Sequence, residues 1–410
     1  MNTPKAVPKI VVVGSGFAGI EVLRSLKGVQ AELTLVTKNQ TFEYYPGLYK
    51  LVTGALPIEV SVPVETILSH KHVHIVGGTY TGVDQSRQVI AVTNSDGDPI
   101  EIPYDYLVLA LGSETNFFNI KGLPELSFSF KSVEAALRLK QHFCELFSKA
   151  KNLPKEEVVA MLHILIVGAG PSGVELAGDL RSYLTRVATE FGVDPSLVTI
   201  DLIESNNRVL PTLSPKVSSI AEARLRKMGI NIFVNRTLAE QELEEVILKD
   251  MSVDSQTVIW TAGTRINSAF MTIPGATFDE RKRVVVSETL SLPSDNHVFV
   301  VGDGAGTPYS GLAQTAIDHG KHVAQTIRAM IRGGALSAYK PKRPSFVIPI
   351  GTHWAIFNHG KFVMTGWIPW ILRSVIDFRY FTQIVPLAHV FAVFQKGKKY
   401  RKIKGGCPNA

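Results

Sequence analysis

A glycine fingerprint that occurs twice constrains this chain more than any other feature. The stretch His163-Ile164-Leu165-Ile166-Val167-Gly168-Ala169-Gly170-Pro171-Ser172-Gly173-Val174-Glu175 reads as a buried strand, a tight turn and the start of a helix. Its β-branched run suits a parallel strand covered on both faces. In such a G-x-G-x-x-G turn Gly168 permits the bend, Gly170 lets backbone N–H groups approach a pyrophosphate, and Gly173 lets the helix pack on the strand. The unpaired N–H groups of the helix start, from Ser172 on since Pro171 has none, then favour an anion. The same pattern stands earlier, as Ile10-Val11-Val12-Val13-Gly14-Ser15-Gly16-Phe17-Ala18-Gly19. Two strand-bounded fingerprints imply two dinucleotides, one donor and one acceptor.

Each fingerprint calls for a second strand whose end reads the ribose. After the later one, Thr199-Ile200-Asp201-Leu202-Ile203 ends at Glu204, whose carboxylate can accept ribose hydroxyls and would repel a 2′-phosphate. The gap from Gly170 exceeds the usual ~20 residues, which requires an extended helix between them. After the earlier one, Leu33-Thr34-Leu35-Val36 ends at Thr37 and Lys38, where a hydroxyl replaces the expected acid and bonds more weakly. Each half then closes with an apolar strand ending in glycine. These are 106–112, with Ala110 and Gly112, and 257–263, with Ala262 and Gly263; the whole forms an internal repeat. A third such strand, 298–301, carries Gly302 and Asp303 at its tip. An acid there can hold a cofactor's polyol chain, or simply cap a helix. The following helix starts near Gly311 and carries Ala313-Gln314-Thr315-Ala316-Ile317-Asp318-His319-Gly320.

Between these landmarks the pattern changes. Thr41-Phe42-Glu43-Tyr44-Tyr45-Pro46-Gly47-Leu48-Tyr49 is aromatic-rich and broken by Pro-Gly, so it reads as a loop rather than a strand. Its rings suit packing against a flat ring system, and equally suit capping a core. Segments 73–76, 82–83, 88–93 and 101–103 alternate like a small antiparallel meander. Residues 131–151 have helical period, 149–157 read as an exposed loop, and a hairpin is expected near 230–249.

Length and composition set the remaining bounds. The chain of 410 residues has room for two or three domains. A net charge of +7 is modest, and no zinc-finger spacing or RNA-recognition signature is present, so nucleic acid is not an expected partner. The only two cysteines, Cys144 and Cys407, lie far apart, which argues against a disulfide scaffold, a redox-active pair or a cysteine metal site. His70-Lys71-His72-Val73-His74 could clip a metal, but alternating histidines on an exposed strand edge are the plainer reading, and no metal is expected. The first apolar run belongs to the fingerprint, so no secretory signal is expected, and no apolar stretch approaches the ~20 residues of a spanning helix.

The C-terminal region differs in character. Trp367, Trp370, Phe378, Tyr380 and Phe381 crowd one helical stretch. There Arg373, Ser374 and Asp377 share a face, Ile371, Leu372, Val375 and Ile376 cover most of the rest, and Arg379 can snorkel. Residues 384–394 are apolar except for His389, and 395–404 hold six Lys or Arg and no acid. Together residues 367–404 describe attachment to a lipid bilayer surface, the alternative being a helix that covers a domain or a dimer interface.

The order of these motifs resembles the two-dinucleotide-binding-domain flavoproteins, and within them the type II NADH:quinone oxidoreductases. The residues that carry the resemblance are Gly14 to Gly19, Ala110-Leu111-Gly112-Ser113-Glu114-Thr115-Asn116-Phe117-Phe118, Gly168 to Gly178, Arg208-Val209-Leu210-Pro211, Trp260 to Gly263, and Gly302-Asp303 with Ala313-Gln314. It implies an α/β fold of two Rossmann-like domains, one for FAD and one for NAD, plus a C-terminal membrane-associating region. The expected boundaries are 1–125 and 276–335 for FAD, 126–275 for NAD(H), and 336–410 for the membrane region. The resemblance further implies non-covalent FAD held by Gly14, Gly16, Gly19 and Asp303, with Tyr45 and Pro46 near the isoalloxazine. NADH is the implied donor and a membrane quinone the acceptor. Glu175 corresponds to the family's helix glutamate, a candidate proton relay whose alternative role is packing or pairing. Gln314 falls in the family's quinone element, and Asp318 replaces that element's second glutamine. The implied location is peripheral, on the cytoplasmic face of the cell membrane or the equivalent organellar inner membrane, with homodimer formation left open. Sulfide:quinone and disulfide reductases would need a cysteine pair, and Cys144 and Cys407 are not expected to meet. A lipid-directed flavoprotein and a signalling flavoprotein resembling apoptosis-inducing factors are the competing readings.

Overall fold

The computed structural model describes residues 7–69, 72–387, 390, 393 and 407. They fall into two compact units. Unit 1 runs to Phe42 and takes in Val62–Glu114 and Thr264–Pro344; unit 2 takes in Glu43–Ser61, Thr115–Gly263 and the residues from Ser345 on. The divisions between the units fall at Glu114 and Thr264. Residues 336–344 join unit 1, and the described residues from Ser345 on join unit 2. The aromatic loop at 43–61 also belongs to unit 2, because its short helix Leu48–Val52 packs on helices Val133–Ala150 and Pro171–Phe191.

Unit 1 is built on a parallel sheet. Strand Lys9–Val13 lies between Glu32–Thr37 and Tyr106–Leu109, and Asp295–Val300 pairs with the far side of Tyr106–Leu109. Val11, Val13, Leu107, Leu109, Val298 and Val300 bury one continuous apolar face. Helix Phe17–Ser25 packs against Ala313–Arg332. Gly320 allows this approach, since a Cβ there would lie 2.7 Å from the Ala18 carbonyl. The meander differs from expectation. Residues 73–76 and 82–83 are one strand, Val73–Asp84, whose first half pairs in parallel with Glu32–Thr37 and whose second half pairs antiparallel with Val89–Asn94. The chain from Thr37 to Val73 supplies the long crossover that a parallel pair needs. Local alternation cannot distinguish that pairing from a hairpin.

Unit 2 holds an all-parallel sheet in the order Phe128–Ser129, Thr257–Trp260, His163–Val167, Thr199–Ile203, Asn231–Phe233. The fingerprint helix Pro171–Phe191 has 21 residues and stops at Gly192 in a left-handed turn, as the long gap to Glu204 requires. Residues 149–157 are not one loop. Helix Val133–Ala150 reaches Ala150, and a new helix, Lys155–Met161, begins right after Pro154, with Glu156 and Glu157 in its first turn. Acids there complement the helix dipole. Asn231–Phe233 is an edge strand of the sheet, so the hairpin is confined to Leu238–Gln241 and Glu245–Leu248.

Two further differences concern the end of the chain. Cys144 and Cys407 form a disulfide across 263 residues, with Cys407 buried. The expectation that they could not meet fails because separation along the chain says nothing about separation in space. The helix Trp367–Ile384 follows three antiparallel strands, Phe346–Pro349, Ala355–His359 and Phe362–Gly366, and packs on them with its polar stripe inward. Asp377 is buried and the Arg373 side chain is only 11% exposed, while Trp367, Ile368 and Val375 are 63%, 50% and 53% exposed. Ser374 is exposed, so the expected polar face is split. Among the described residues no helix is long and apolar enough to cross a membrane, and no cluster could hold a metal ion. His70, Lys71, His389 and the basic stretch 395–404 lie outside the described residues.

Candidate functional site

The two fingerprints fold into superimposable local geometry. Gly14 and Gly168 have φ of +104° and +107°, a conformation open to glycine. A Cβ on Gly19 or on Gly173 would lie 1.9 Å from the carbonyl oxygen of Gly14 or Gly168, so both helices press directly on their turns. Packing therefore demands these four glycines. It does not demand Gly16 or Gly170, whose added Cβ atoms would meet nothing within 4 Å. Both sit at the N-cap of their helix in extended conformation with no side-chain cap. Open space, unpaired N–H groups and a helix N-terminus together fit a pyrophosphate at each turn.

In unit 1, Phe17 is buried and edge-on to Phe42, with centroids 5.1 Å apart, and Ala18 is buried beneath it. Thr37 ends its strand buried; its hydroxyl donates to the Asn39 carbonyl at 2.8 Å and lies 2.8 Å from Ser15 Oγ. Lys38 is exposed beside it. The Ala110 N–H donates to Val13, and the Gly112 carbonyl accepts from Asn267. Gly302 opens the turn Gly302–Gly304, on which the Asp303 carboxylate accepts from the Ser113 hydroxyl. Helix Ala313–Arg332 begins at Ala313 and sets Gln314 and Asp318 one turn apart, with Asp318 paired to Lys342 at 3.3 Å.

In unit 2, Pro171 and Ser172 open the fingerprint helix, and Ala262 packs against Gly168. The Thr261 hydroxyl donates to the Gly168 carbonyl at 2.7 Å. Asn116 secures the same turn: its N–H donates to Gly263 and its carbonyl accepts from the Trp260 indole. The Phe118 ring lies against the bare Cα of Gly263. Glu204 is buried, with one carboxylate oxygen accepting from the Ala169 N–H at 2.8 Å and the other from Asn206. It thus ties the end of its strand to the glycine turn.

Glu175 stands one turn into that helix, buried, in a charged cluster assembled from three segments of unit 2. Arg373 Nη1 lies 3.5 Å from its carboxylate. The same guanidinium donates to the Val347 and Pro46 carbonyls and, through Nε, to Asp377 at 3.0 Å. Asp377 accepts in turn from the Tyr44 hydroxyl at 2.7 Å and pairs with Lys50 at 2.6 Å. Burial raises the pKa of Glu175 to about 7; Arg373 offsets part of the rise, and Asp377 and Asp179 add to it. Burial alone would raise Asp377 too, but Lys50 and Arg373 hold it below the ordinary carboxylate range. The cluster therefore contains one carboxyl fixed as an anion and one poised to gain or lose a proton near neutral pH. Pro46 is a carbonyl partner in it, and Tyr45 is 45% exposed beside it. The sequence pattern singles out Glu175 and notes Tyr44, Arg373 and Asp377 elsewhere, but it neither joins them to Glu175 nor brings in Lys50. The available signal was an Arg–Asp pair four residues apart on an otherwise apolar helix.

The family model for pyridine nucleotide-disulphide oxidoreductases matches residues 8–320. The type II NADH:quinone oxidoreductase Ndh of Mycobacterium tuberculosis is 28% identical over 392 residues, covering 91% of this chain and 84% of that protein. The type II NADH:quinone oxidoreductase of Staphylococcus haemolyticus is 26% identical, covering 95% and 98%. Among solved structures, NDH2 from Plasmodium falciparum in complex with NADH aligns with a TM-score of 0.89 at 18% identity, covering 98% of this chain and 99% of that one. The sulfide:quinone oxidoreductase of Aquifex aeolicus aligns less closely, with a TM-score of 0.76 at 19% identity over 92% and 91%.

Proposed function

The chain belongs to the pyridine nucleotide-disulphide oxidoreductase family, and from that premise we propose that it is a membrane-associated, FAD-dependent NADH:quinone oxidoreductase of type II. Curated relatives of that name extend over most of the chain. FAD supplies the redox chemistry when bound, taking a hydride from NADH and giving two electrons to the quinone. The residues of unit 1 suited to hold it are Gly14, Gly16 and Gly19 at the pyrophosphate, Thr37 and Lys38 at the ribose, and Asp303 at the polyol chain. Ala110 packs against the Gly14 and Gly19 turn, and Gly112 and Ala313 are the further unit 1 residues the resemblance assigns to FAD. In unit 2, Gly168, Gly170 and Gly173 suit the pyrophosphate of NADH, Glu204 its ribose, and Ala262 and Gly263 the nicotinamide end.

The observation that carries the quinone assignment is the setting of Glu175. Reducing a quinone consumes two protons, and this carboxyl, with a pKa of about 7, can give and regain one at working pH. Its partner Arg373 comes from the helix Trp367–Ile384, whose opposite face presents exposed apolar side chains. That face suits a bilayer surface, where the quinone is dissolved, with the basic stretch 395–404 adding attraction to anionic lipid. The family resemblance assigns Gln314 to the quinone element, with Asp318 in place of that element's second glutamine. The cytoplasmic face of the cell membrane, or the matching organellar face, is where NADH would reach such an enzyme. The Cys144–Cys407 disulfide does not itself argue against a sulfide:quinone activity; that reading is set aside because the relatives that span most of the chain are named type II NADH:quinone oxidoreductase and the sulfide:quinone oxidoreductase structure aligns less closely.

The test is anaerobic. One equivalent of NADH added to the purified flavoprotein should bleach the flavin band, and a short-chain quinone should restore it. Bleaching that quinone does not reverse would move the reading to another acceptor, such as that of a redox signalling flavoprotein. An unbleached flavin would overturn NADH as donor.

A further inference from the structure

His319, in the helix Ala313–Arg332, is completely buried and bridges both ends of the loop that carries Asp303. Its Nδ1 lies 3.1 Å from the backbone nitrogen of Gly302, and its Nε2 lies 3.0 Å from Thr307 Oγ1. A backbone N–H can only donate, so Nδ1 is bare and accepts. The proton of the neutral ring is then on Nε2 and is donated to Thr307. Beyond the ring, Thr307 Oγ1 lies 2.9 Å from Ser310 Oγ, and Ser310 donates to the Ala305 carbonyl at 2.7 Å. Gly302 itself holds φ of +70° at the start of the turn. The backbone of this loop bonds to Val284 through Gly304 and Gly306, and the ring adds the acceptor for the Gly302 N–H and an anchor at Thr307.

The surroundings keep this ring neutral. Tyr339 packs edge-on at 4.8 Å between centroids, and His322, on the same helix, faces Tyr339 as well. Asp318 precedes it in the chain but pairs with Lys342, and Asp303 is engaged by Ser113. Burial and the nearby His322 lower the pKa of His319 to about 4.

We propose that His319 is a positioning residue for flavin retention, a neutral acceptor that holds the Gly302 N–H and so fixes the turn presenting Asp303. This rests on the reading that Asp303 holds FAD. A proton on Nδ1 would set one donor against another, and the turn would release. Flavin should therefore dissociate in acid, as His319 titrates, while the parallel sheet remains folded.

The measurement is flavin release from the loaded protein, followed by flavin fluorescence, with far-UV circular dichroism recorded alongside. In His319→Asn the amide oxygen can take the place of Nδ1 and keep the Gly302 contact; in His319→Gln the amide reaches the Nε2 position and loses it. Near neutral pH, His319→Gln should release flavin about tenfold faster than the natural protein, the worth of one buried hydrogen bond. His319→Asn should release it at close to the natural rate and lose the acid-dependent step. Asp303→Asn separates the two layers of the argument. Should it leave flavin release unchanged, the reading of Asp303 fails and the proposal falls with it. Should it speed release while His319→Gln does not, the role of His319 alone is overturned. If neither His319 variant folds, the natural protein still decides: flavin retained below about pH 4, with native circular dichroism, refutes the proposal.

Discussion

Replacing Glu175 with Gln tests the charge balance of unit 2 directly. The change is nearly isosteric and mimics a carboxyl that never ionises. Burial raises the pKa of Glu175 from 4.5 to about 7, which is worth ~3 kcal/mol against its ionised form. The folded protein binds this proton more tightly than the unfolded chain does. The stability it contributes is fully present below 4.5, declines as pH rises, and is gone above about 7. The variant has no such decline. The natural protein and Glu175→Gln should therefore be about equally stable in mild acid, with the variant the more stable by up to ~3 kcal/mol in mild base. All four tryptophans, Trp260, Trp354, Trp367 and Trp370, lie in unit 2, so indole fluorescence during denaturant unfolding reports on that unit. The same variant should bleach normally with NADH yet be slow to pass electrons to quinone, with a flattened pH profile. A stability gap that is the same in acid and in base would show that Glu175 does not titrate near neutral pH, and the relay argument would be lost.

Other outcomes follow from the same geometry. Glu204→Arg should move the kcat/KM preference toward NADPH by at least about tenfold, and should cost about 1–3 kcal/mol of stability by leaving the Ala169 N–H without its acceptor; an unchanged preference would remove Glu204 as the reader of the ribose. Ile371→Glu combined with Val375→Glu, on the exposed face of the C-terminal helix, should weaken sedimentation with anionic vesicles about a hundredfold, with flavin bleaching by NADH intact. Full retention on vesicles would mean that this face does not meet lipid. Cys144→Ser should lower the stability of unit 2 by ~2–5 kcal/mol by opening a closed loop of 263 residues. The reductant-treated natural protein should behave alike, and a matching unfolding midpoint with and without reductant would argue against the disulfide.

What the sequence determined by itself is the part encoded over short spans. Gly14, Gly16 and Gly19 lie within six residues of one another, as do Gly168, Gly170 and Gly173, and the turn, the helix start and the strand before it are all set by those neighbours. Both glycine turns, the repeat that relates them and the acid at Glu204 were therefore legible, and so was Glu175 as a carboxyl near a fingerprint. The helical projection of 367–384 also grouped Arg373 and Asp377 apart from the apolar surface, though Ser374 does not share their side. It could not say which side faces the protein, because amphipathicity is symmetric to that choice. Only the tertiary structure turns Arg373 and Asp377 inward against Glu175, Tyr44 and Lys50 and leaves Trp367 and Val375 outside. The same limit explains the rest. The Glu175–Arg373 pair spans 198 residues and the Cys144–Cys407 bond 263, and strand 73–84 changes partners halfway along. His319 reads in sequence as one more helical residue, and it acquires a role only when the chain folds Gly302 and Thr307 onto its two nitrogens. Local spacing dictates backbone geometry, whereas burial and charge pairing arise between segments that meet only after the chain has folded.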